Sequence, residues 1–183
     1  MMNKLFVAVV LCGVLGFSRA YAVDFTLKSP DLGGQLSAAE VYSAGGCNGK
    51  NISPRLNWSN PPQNTRSFAV TVYDPDAPTG SGWWHWVMFN IPAATSELKQ
   101  DAGNLQKMVA PKGSIQSVTD WGKPGFGGAC PPKGDKAHRY IFTIYALDVE
   151  KLEADEKTLP ATVGYLLNSH AISKASLISY YGR

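Results

Sequence analysis

Apolar residues cluster in three segments of the chain. Residues 67–73 read Ser-Phe-Ala-Val-Thr-Val-Tyr, residues 84–91 are almost continuously apolar, and residues 139–147 alternate aromatic and aliphatic side chains with smaller partners. Runs of this length and content predict central β-strands. Residues 25–27, 56–58 and 175–181 carry the same residue types more sparsely and predict further strands. Turn formers punctuate these segments: Gly33-Gly34, Gly45-Gly46, Pro61-Pro62, Asp74-Pro75-Asp76-Ala77-Pro78, the glycines of 125–128, and Pro131-Pro132. Short strands separated by such turns predict a mainly β fold, a sandwich of two sheets. One helix is expected from Pro160, because Val163, Leu166, Leu167 and Ala171 recur at helical spacing behind a proline suited to a first turn. A second, short helical turn is expected in residues 150–155. The chain shows no internal repeat, heptad pattern or linker.

The N-terminus follows a different pattern. Lys4 precedes an apolar stretch over residues 5–17, and Ala20-Tyr21-Ala22 supplies small residues at a cleavage position. That order predicts a secretory signal peptide over residues 1–22 and a single domain over 23–183. The apolar stretch is too short for a membrane span, which needs about 20 residues. Cys12 lies within it and leaves with it. Of 183 residues, 161 then remain, and loss of Lys4 and Arg19 takes the formal charge from +3 to +1. With no basic block, the electrostatic footprint of nucleic-acid binding is missing. The expected location is periplasmic or secreted. Cys47 and Cys130 are the cysteines that stay, and an oxidising compartment favours a disulfide between them; two buried free thiols are the alternative.

Most signatures of catalysis are absent: no Gly-x-Ser-x-Gly, His-Glu-x-x-His, Cys-x-x-Cys or Gly-Lys-Ser/Thr occurs. The glycines of 125–128 resemble part of a dinucleotide fingerprint, but Pro131-Pro132 follows them where a helix would have to begin. No catalytic residue, cofactor or metal is therefore assigned. What remains is a set of polar side chains at strand ends. Asp74 and Asp76 sit in a proline-rich turn, His85 is surrounded by Trp83, Trp84 and Trp86, and His138 opens the third strong strand. Convergence of these groups would make a small anion pocket with aromatic walls, where a carboxylate orients an imidazole. Backbone N–H groups of residues 127–130 would add a nest for anions. Each has a plainer explanation: the aspartates as turn caps, His85 and the tryptophans as core, and His170 as a cation at the helix C-terminus.

Taken in order, Cys47-Asn-Gly-Lys-Asn-Ile-Ser-Pro54, Tyr73-Asp-Pro-Asp-Ala-Pro78, His85-Trp-Val-Met-Phe-Asn-Ile-Pro92, Gly127-Gly-Ala-Cys-Pro-Pro-Lys-Gly134 and His138-Arg-Tyr-Ile-Phe-Thr-Ile-Tyr-Ala-Leu147 resemble successive motifs of the phosphatidylethanolamine-binding protein (PEBP) family. The similarity is greatest to its bacterial YbhB/YbcL branch, also called Raf-kinase-inhibitor-like. The resemblance implies a PEBP-like β-sandwich of two sheets with a few short helices. It also implies a pocket for phosphate-like or phospholipid head groups, formed by Asp74, Asp76, His85, Pro132, His138 and Tyr140. Cys47 and Cys130 are both found in the bacterial branch, including members without a signal, so their presence alone does not establish a bridge. Eukaryotic members continue into a C-terminal helical segment beside the pocket, whereas this chain stops at Arg183 after a predicted strand, which implies a more open pocket.

The resulting expectation is a non-enzymatic binding protein for a phosphate-like or carboxylate small anion, such as the phosphatidylethanolamine head group. Binding should tighten as pH falls through about 6.5, where imidazoles become charged. The competing class is a protein-interaction or inhibitor module directed at a kinase, a protease or a host protein, with Trp83 at the contact. An enzyme using Asp76 and His85 as base and orienter is a third class. A homodimer is compatible with either binding role.

Overall fold

The computed structural model describes residues 24–183; the expected signal peptide lies outside them. Two antiparallel sheets face each other. The smaller has the order β1–β2–β5, built from β1 (Thr26–Lys28), β2 (Leu56–Ser59) and β5 (Glu97–Leu98). The larger has the order β6–β4–β3–β7–β8, built from β3 (Ser67–Asp74), β4 (Trp83–Pro92), β6 (Ile115–Gln116), β7 (His138–Leu147) and β8 (Ala171–Tyr181). One helix, α1 (Pro160–His170), packs on the outer face of the larger sheet.

The three strongest apolar segments are the three central strands, and the period of two explains why they look continuously apolar. On β3, Phe68, Val70 and Val72 point inward to join Trp86, Met88, Phe142 and Ile144, with Leu56, Trp58 and Leu98 arriving from the smaller sheet. The intervening Ala69, with Val87 and Phe89, points outward beneath Val163 and Leu167 of α1. A strand buried on both faces has no polar face to show.

The helix differs from expectation at its end. Ala171 is not helical; it is the C-cap, its N–H donates to the Leu167 carbonyl, and it begins β8 without a loop. β8 therefore starts four residues before the expected 175. It is an edge strand with one solvated face, and its alternation of exposed Ile172, Lys174, Ser176 and Ile178 with half-buried partners is sparse in apolar residues. The expected helical turn at 150–155 does not form. There Leu152 inserts into the outer core and its N–H donates to Asn90 Oδ1 at 2.8 Å, so the backbone is held by a side chain instead of by its own turn. Among the described residues one helix forms, not several.

Candidate functional site

β3 runs antiparallel to both neighbours, β4 and β7. Its C-terminal end therefore lies between the N-terminal ends of the other two. This places Asp74 beside Trp83 and His85 on one side and beside His138 and Tyr140 on the other. Asp74, His138 and Tyr140 keep the parity of the inward residues Val72 and Phe142, so the site is the polar end of the core's own inner face. His85 reaches the same face by a different device. Val72 pairs with Trp86 and Tyr73 pairs with Trp84, which leaves His85 as the extra residue of a bulge. A bulge re-aims a side chain, and here it puts the His85 ring 5.1 Å from that of Tyr140.

The resulting cavity encloses about 230 Å³. Trp83, Trp121, Pro78 and Pro131 supply much of its apolar wall, with Pro132 at the rim, and Asp74, His85, His138 and Tyr140 its polar positions. Among the described residues that line it there is no lysine or arginine.

Asp74 does two things at once. Oδ1 accepts N–H bonds from Asp76 (2.8 Å) and Ala77 (3.1 Å), closing the proline-rich turn, while Oδ2 accepts from His138 Nδ1 at 2.7 Å. The turn cap and the orientation of the imidazole are thus one carboxylate. Asp74 and His138 are both buried. The His85 Nδ1–H donates to the Gly127 carbonyl at 2.7 Å, which leaves Nε2 as the unprotonated nitrogen. Burial pushes the His85 imidazole below its ordinary 6.5, outweighing the Gly127 bond and the Asp74 charge. Burial, with the nearby Asp74 charge, also raises the Tyr140 phenol, so it remains a donor; its hydroxyl has no protein partner, and neither has Trp83 Nε1.

Asp76 is not in the cavity wall. It turns outward to Arg139, accepting from its backbone N–H (2.9 Å), Nε (2.8 Å) and Nη2 (2.6 Å). These bonds to the guanidinium hold Asp76 at about 2, against an ordinary 3.8. Stability from the ionised Asp76 is complete above about 3.8 and is lost as pH falls toward 2. The expected anion nest is also absent. Gly127 N–H donates to the His85 carbonyl, Gly128 N–H to Asn51 Oδ1, and Ala129 N–H to the Glu40 carbonyl. With the N–H groups of residues 127–129 already satisfied, these residues are a wall and not an anion seat.

That wall depends on Trp121, a loop residue that no motif or periodicity marks. Trp121 stacks on Tyr42 with centroids 4.1 Å apart and meets Trp83 edge-on at 5.4 Å. Its indole lies where a Cβ on Gly127 would have to be. Gly127→Ala is therefore expected to displace Trp121 and cost about 1–3 kcal/mol by overpacking, read from chemical denaturation and tryptophan fluorescence. Cys47 and Cys130 are disulfide-bonded, with Cα atoms 5.7 Å apart, so the bridge and not the free-thiol alternative describes them. Arg183 reaches across the same rim, donating to the Pro131 carbonyl and, at 2.8 Å, to that of Gly46. Of the other tryptophans, Trp86 is core, bonded to Gln116 at 2.6 Å, and Trp84 packs on the outer face. His170 takes its expected place in the last helical turn, 3.0 Å from Asp148.

Residues 26–182 match the family model described as phosphatidylethanolamine-binding protein. The chain is 48% identical over 180 residues to the UPF0098 protein YbcL of Escherichia coli K12, covering 98% of each chain. It is also 48% identical over 157 residues to the UPF0098 protein YbhB of the same strain, covering 85% of this chain and 98% of that one. The crystal structure of E. coli YbcL, described as a member of the mammalian PEBP family, superposes with a TM-score of 0.86 at 49% identity, covering 88% of this chain and 99% of that one.

Proposed function

The chain belongs to the phosphatidylethanolamine-binding protein family, and from that premise we propose that it is an exported, non-enzymatic binding protein whose cavity takes a small phosphate-like or carboxylate head group. The observation that carries this reading is an apolar wall joined, at the ends of three adjacent strands, to Tyr140 and to two imidazoles held in place by Asp74 and the Gly127 carbonyl. A few convergent polar groups in an apolar concavity are the usual pattern of a small-ligand site. The volume, about 230 Å³, is below the range of about 300–1,000 Å³ usual for drug-sized ligands and suits a head group.

Two features favour binding over catalysis. Cys130 is tied up in the disulfide, and the Thr79 hydroxyl donates to the Gly82 carbonyl, so neither is paired with a histidine as a nucleophile would be. Asp76 and His85, the base and orienter of an enzymatic reading, are bonded elsewhere, to Arg139 and to Gly127. Export is supported by the order of residues 4–22 and by the disulfide.

Titration calorimetry with phosphorylethanolamine tests the reading: heat is expected for the wild type and none for His138→Ala, and equal heats for the two remove the cavity from the account. Acidification gives a second check. Sulfate, whose charge is constant in this range, should gain affinity as pH falls below 6.5, and His85→Gln should lose that gain in part; a profile unchanged in His85→Gln assigns the proton to another group. The same burial gives a stability profile. The unfolded chain takes up the His85 proton near 6.5 while the folded one resists it, so this contribution to stability is complete above about 6.5 and declines as pH falls below it.

A further inference from the structure

β8 is the outermost named strand of the larger sheet, and most of its outer edge is open. The direction of its backbone groups follows from Tyr180, whose N–H donates to the Gly34 carbonyl and whose carbonyl accepts from the Leu36 N–H, both on the side away from β7. Pairing with β7 runs without a shift from Ser173 to Tyr181. Backbone groups alternate sides along an antiparallel ladder, so those of Lys174, Ser176 and Ile178 face outward as well. Among the described residues they meet no backbone partner.

The surface around this edge is apolar and almost without charge. Of the seven exposed large apolar side chains among the described residues, five belong to α1, its cap and β8: Leu159, Tyr165, Ile172, Ile178 and Tyr180. Residues 158–182 contain one formal charge, Lys174. Sheets shield a long edge with charges, prolines or a covering segment; here residues 34–36 cover Tyr180 alone, and a single lysine guards the rest. A lipid surface would cover the apolar side chains but leave the backbone groups without partners. An added strand satisfies both.

We propose that this edge is the docking surface for a second copy of the chain, with β8 pairing antiparallel to its counterpart across a two-fold axis at Ser176. The outward groups alternate donor and acceptor at one spacing, so the edge is its own complement when rotated. Charge and cover choose the register. An axis at Lys174 would set two like charges opposite each other. An axis at Ala175 would set Ile178 against the bulge at Ile172, and an axis at Leu177 would run Lys174 against Tyr180, whose backbone groups are taken. An axis at Ser176 pairs Ser176 with itself and Lys174 with Ile178 of the other copy. It engages all three outward residues and keeps the two lysines about 14 Å apart along the ladder. The bulge at Ile172 ends the pairing on each side. The other edge of the sheet, β6, is only two residues long, so association stops at two copies and does not run on into a fibre.

Sedimentation equilibrium of the wild type and three variants tests the assignment. The wild type should show a monomer–dimer equilibrium. Ser176→Pro removes an N–H that β7 does not use and should leave a monomer. Ile178→Lys puts a second lysine opposite Lys174 at two symmetry-related places and should weaken the dimer about tenfold. Adding Lys174→Glu to Ile178→Lys turns both contacts into ion pairs and should restore the dimer; within one chain the two positions are about 14 Å apart, too far for this rescue. Near-ultraviolet circular dichroism at high dilution checks that each variant is folded, and Ile178→Lys with its rescue carries the test if the proline variant is not. A wild type that stays monomeric at millimolar concentration overturns the proposal and leaves the edge to a strand of another protein. A dimer indifferent to both single substitutions, or one weakened by Ile178→Lys and not rescued by Lys174→Glu, overturns it as well.

Discussion

Asp74→Ala should unfold about 3–5 kcal/mol more easily than the wild type and should bind no head group, the stability loss being that for breaking a buried carboxylate–imidazole pair by removing one partner. The variant loses three hydrogen bonds at one stroke: two that close the turn at Asp76 and Ala77 and one that orients His138. It also leaves the His138 Nδ1 in a buried site without an acceptor. Asp74→Asn separates the two roles. Its carbonyl oxygen can still accept from the turn, but its amide then presents N–H donors toward Nδ1, and the imidazole must change tautomer. Asp74→Asn should therefore recover part of the stability and none of the binding. Urea denaturation with calorimetry on both variants reads the difference; equal stability loss in the two would mean that the turn cap contributes nothing.

Reduction of the Cys47–Cys130 bridge, or replacement of both cysteines by serine, should lower stability by about 2–4 kcal/mol, with about 4–5 kcal/mol the ceiling of the chain-entropy model for so long a loop. The bridge joins residues 83 apart. It lies next to the Val41–Ala129 bridge, where the backbones of residues 40–42 and 129 exchange hydrogen bonds. Cys130 itself lines the cavity. Loss of the bridge should thus weaken head-group binding as well as stability, because the segment leading to Pro131 and Pro132 loses its tie. Denaturation midpoints with and without reductant measure the first effect; a midpoint that ignores reductant would contradict it.

The sequence displays what the period of two writes into it. The central strands β3, β4 and β7 are visible because they are buried on both faces, and Asp74, His85 and His138 stand out because polar groups at the ends of such strands are out of place, whereas Tyr140 is implied only by the family resemblance. The fold class and these positions follow from local composition and from a resemblance carried by five motifs. The remainder depends on pairings between distant segments. The bulge that aims His85 is a property of register between β3 and β4, which no single strand encodes. Trp121 joins the wall from a loop rich in turn formers, and the reason it fits is the missing Cβ of Gly127. The glycines of 127–128 suggest a nest until Asn51 and Glu40, more than 70 residues earlier, are seen to accept from the N–H groups of Gly128 and Ala129. Asp76 looks equivalent to Asp74 in the turn, and only the position of Arg139 across the rim pulls it outward. The early start of β8 was hidden by Ala171, which fits a helical spacing but closes the helix instead.

The most direct test of the head-group cavity uses the five tryptophans as reporters. Trp83 and Trp121 line the cavity, while Trp58 and Trp86 lie in the core and Trp84 packs on the outer face of the sheet. In a proton–nitrogen spectrum of the wild type titrated with phosphorylethanolamine, the indole N–H signals of Trp83 and Trp121 should shift saturably, and those of Trp58, Trp84 and Trp86 should stay in place. Saturable binding that leaves Trp83 and Trp121 unmoved, or no binding at millimolar ligand, would contradict the account.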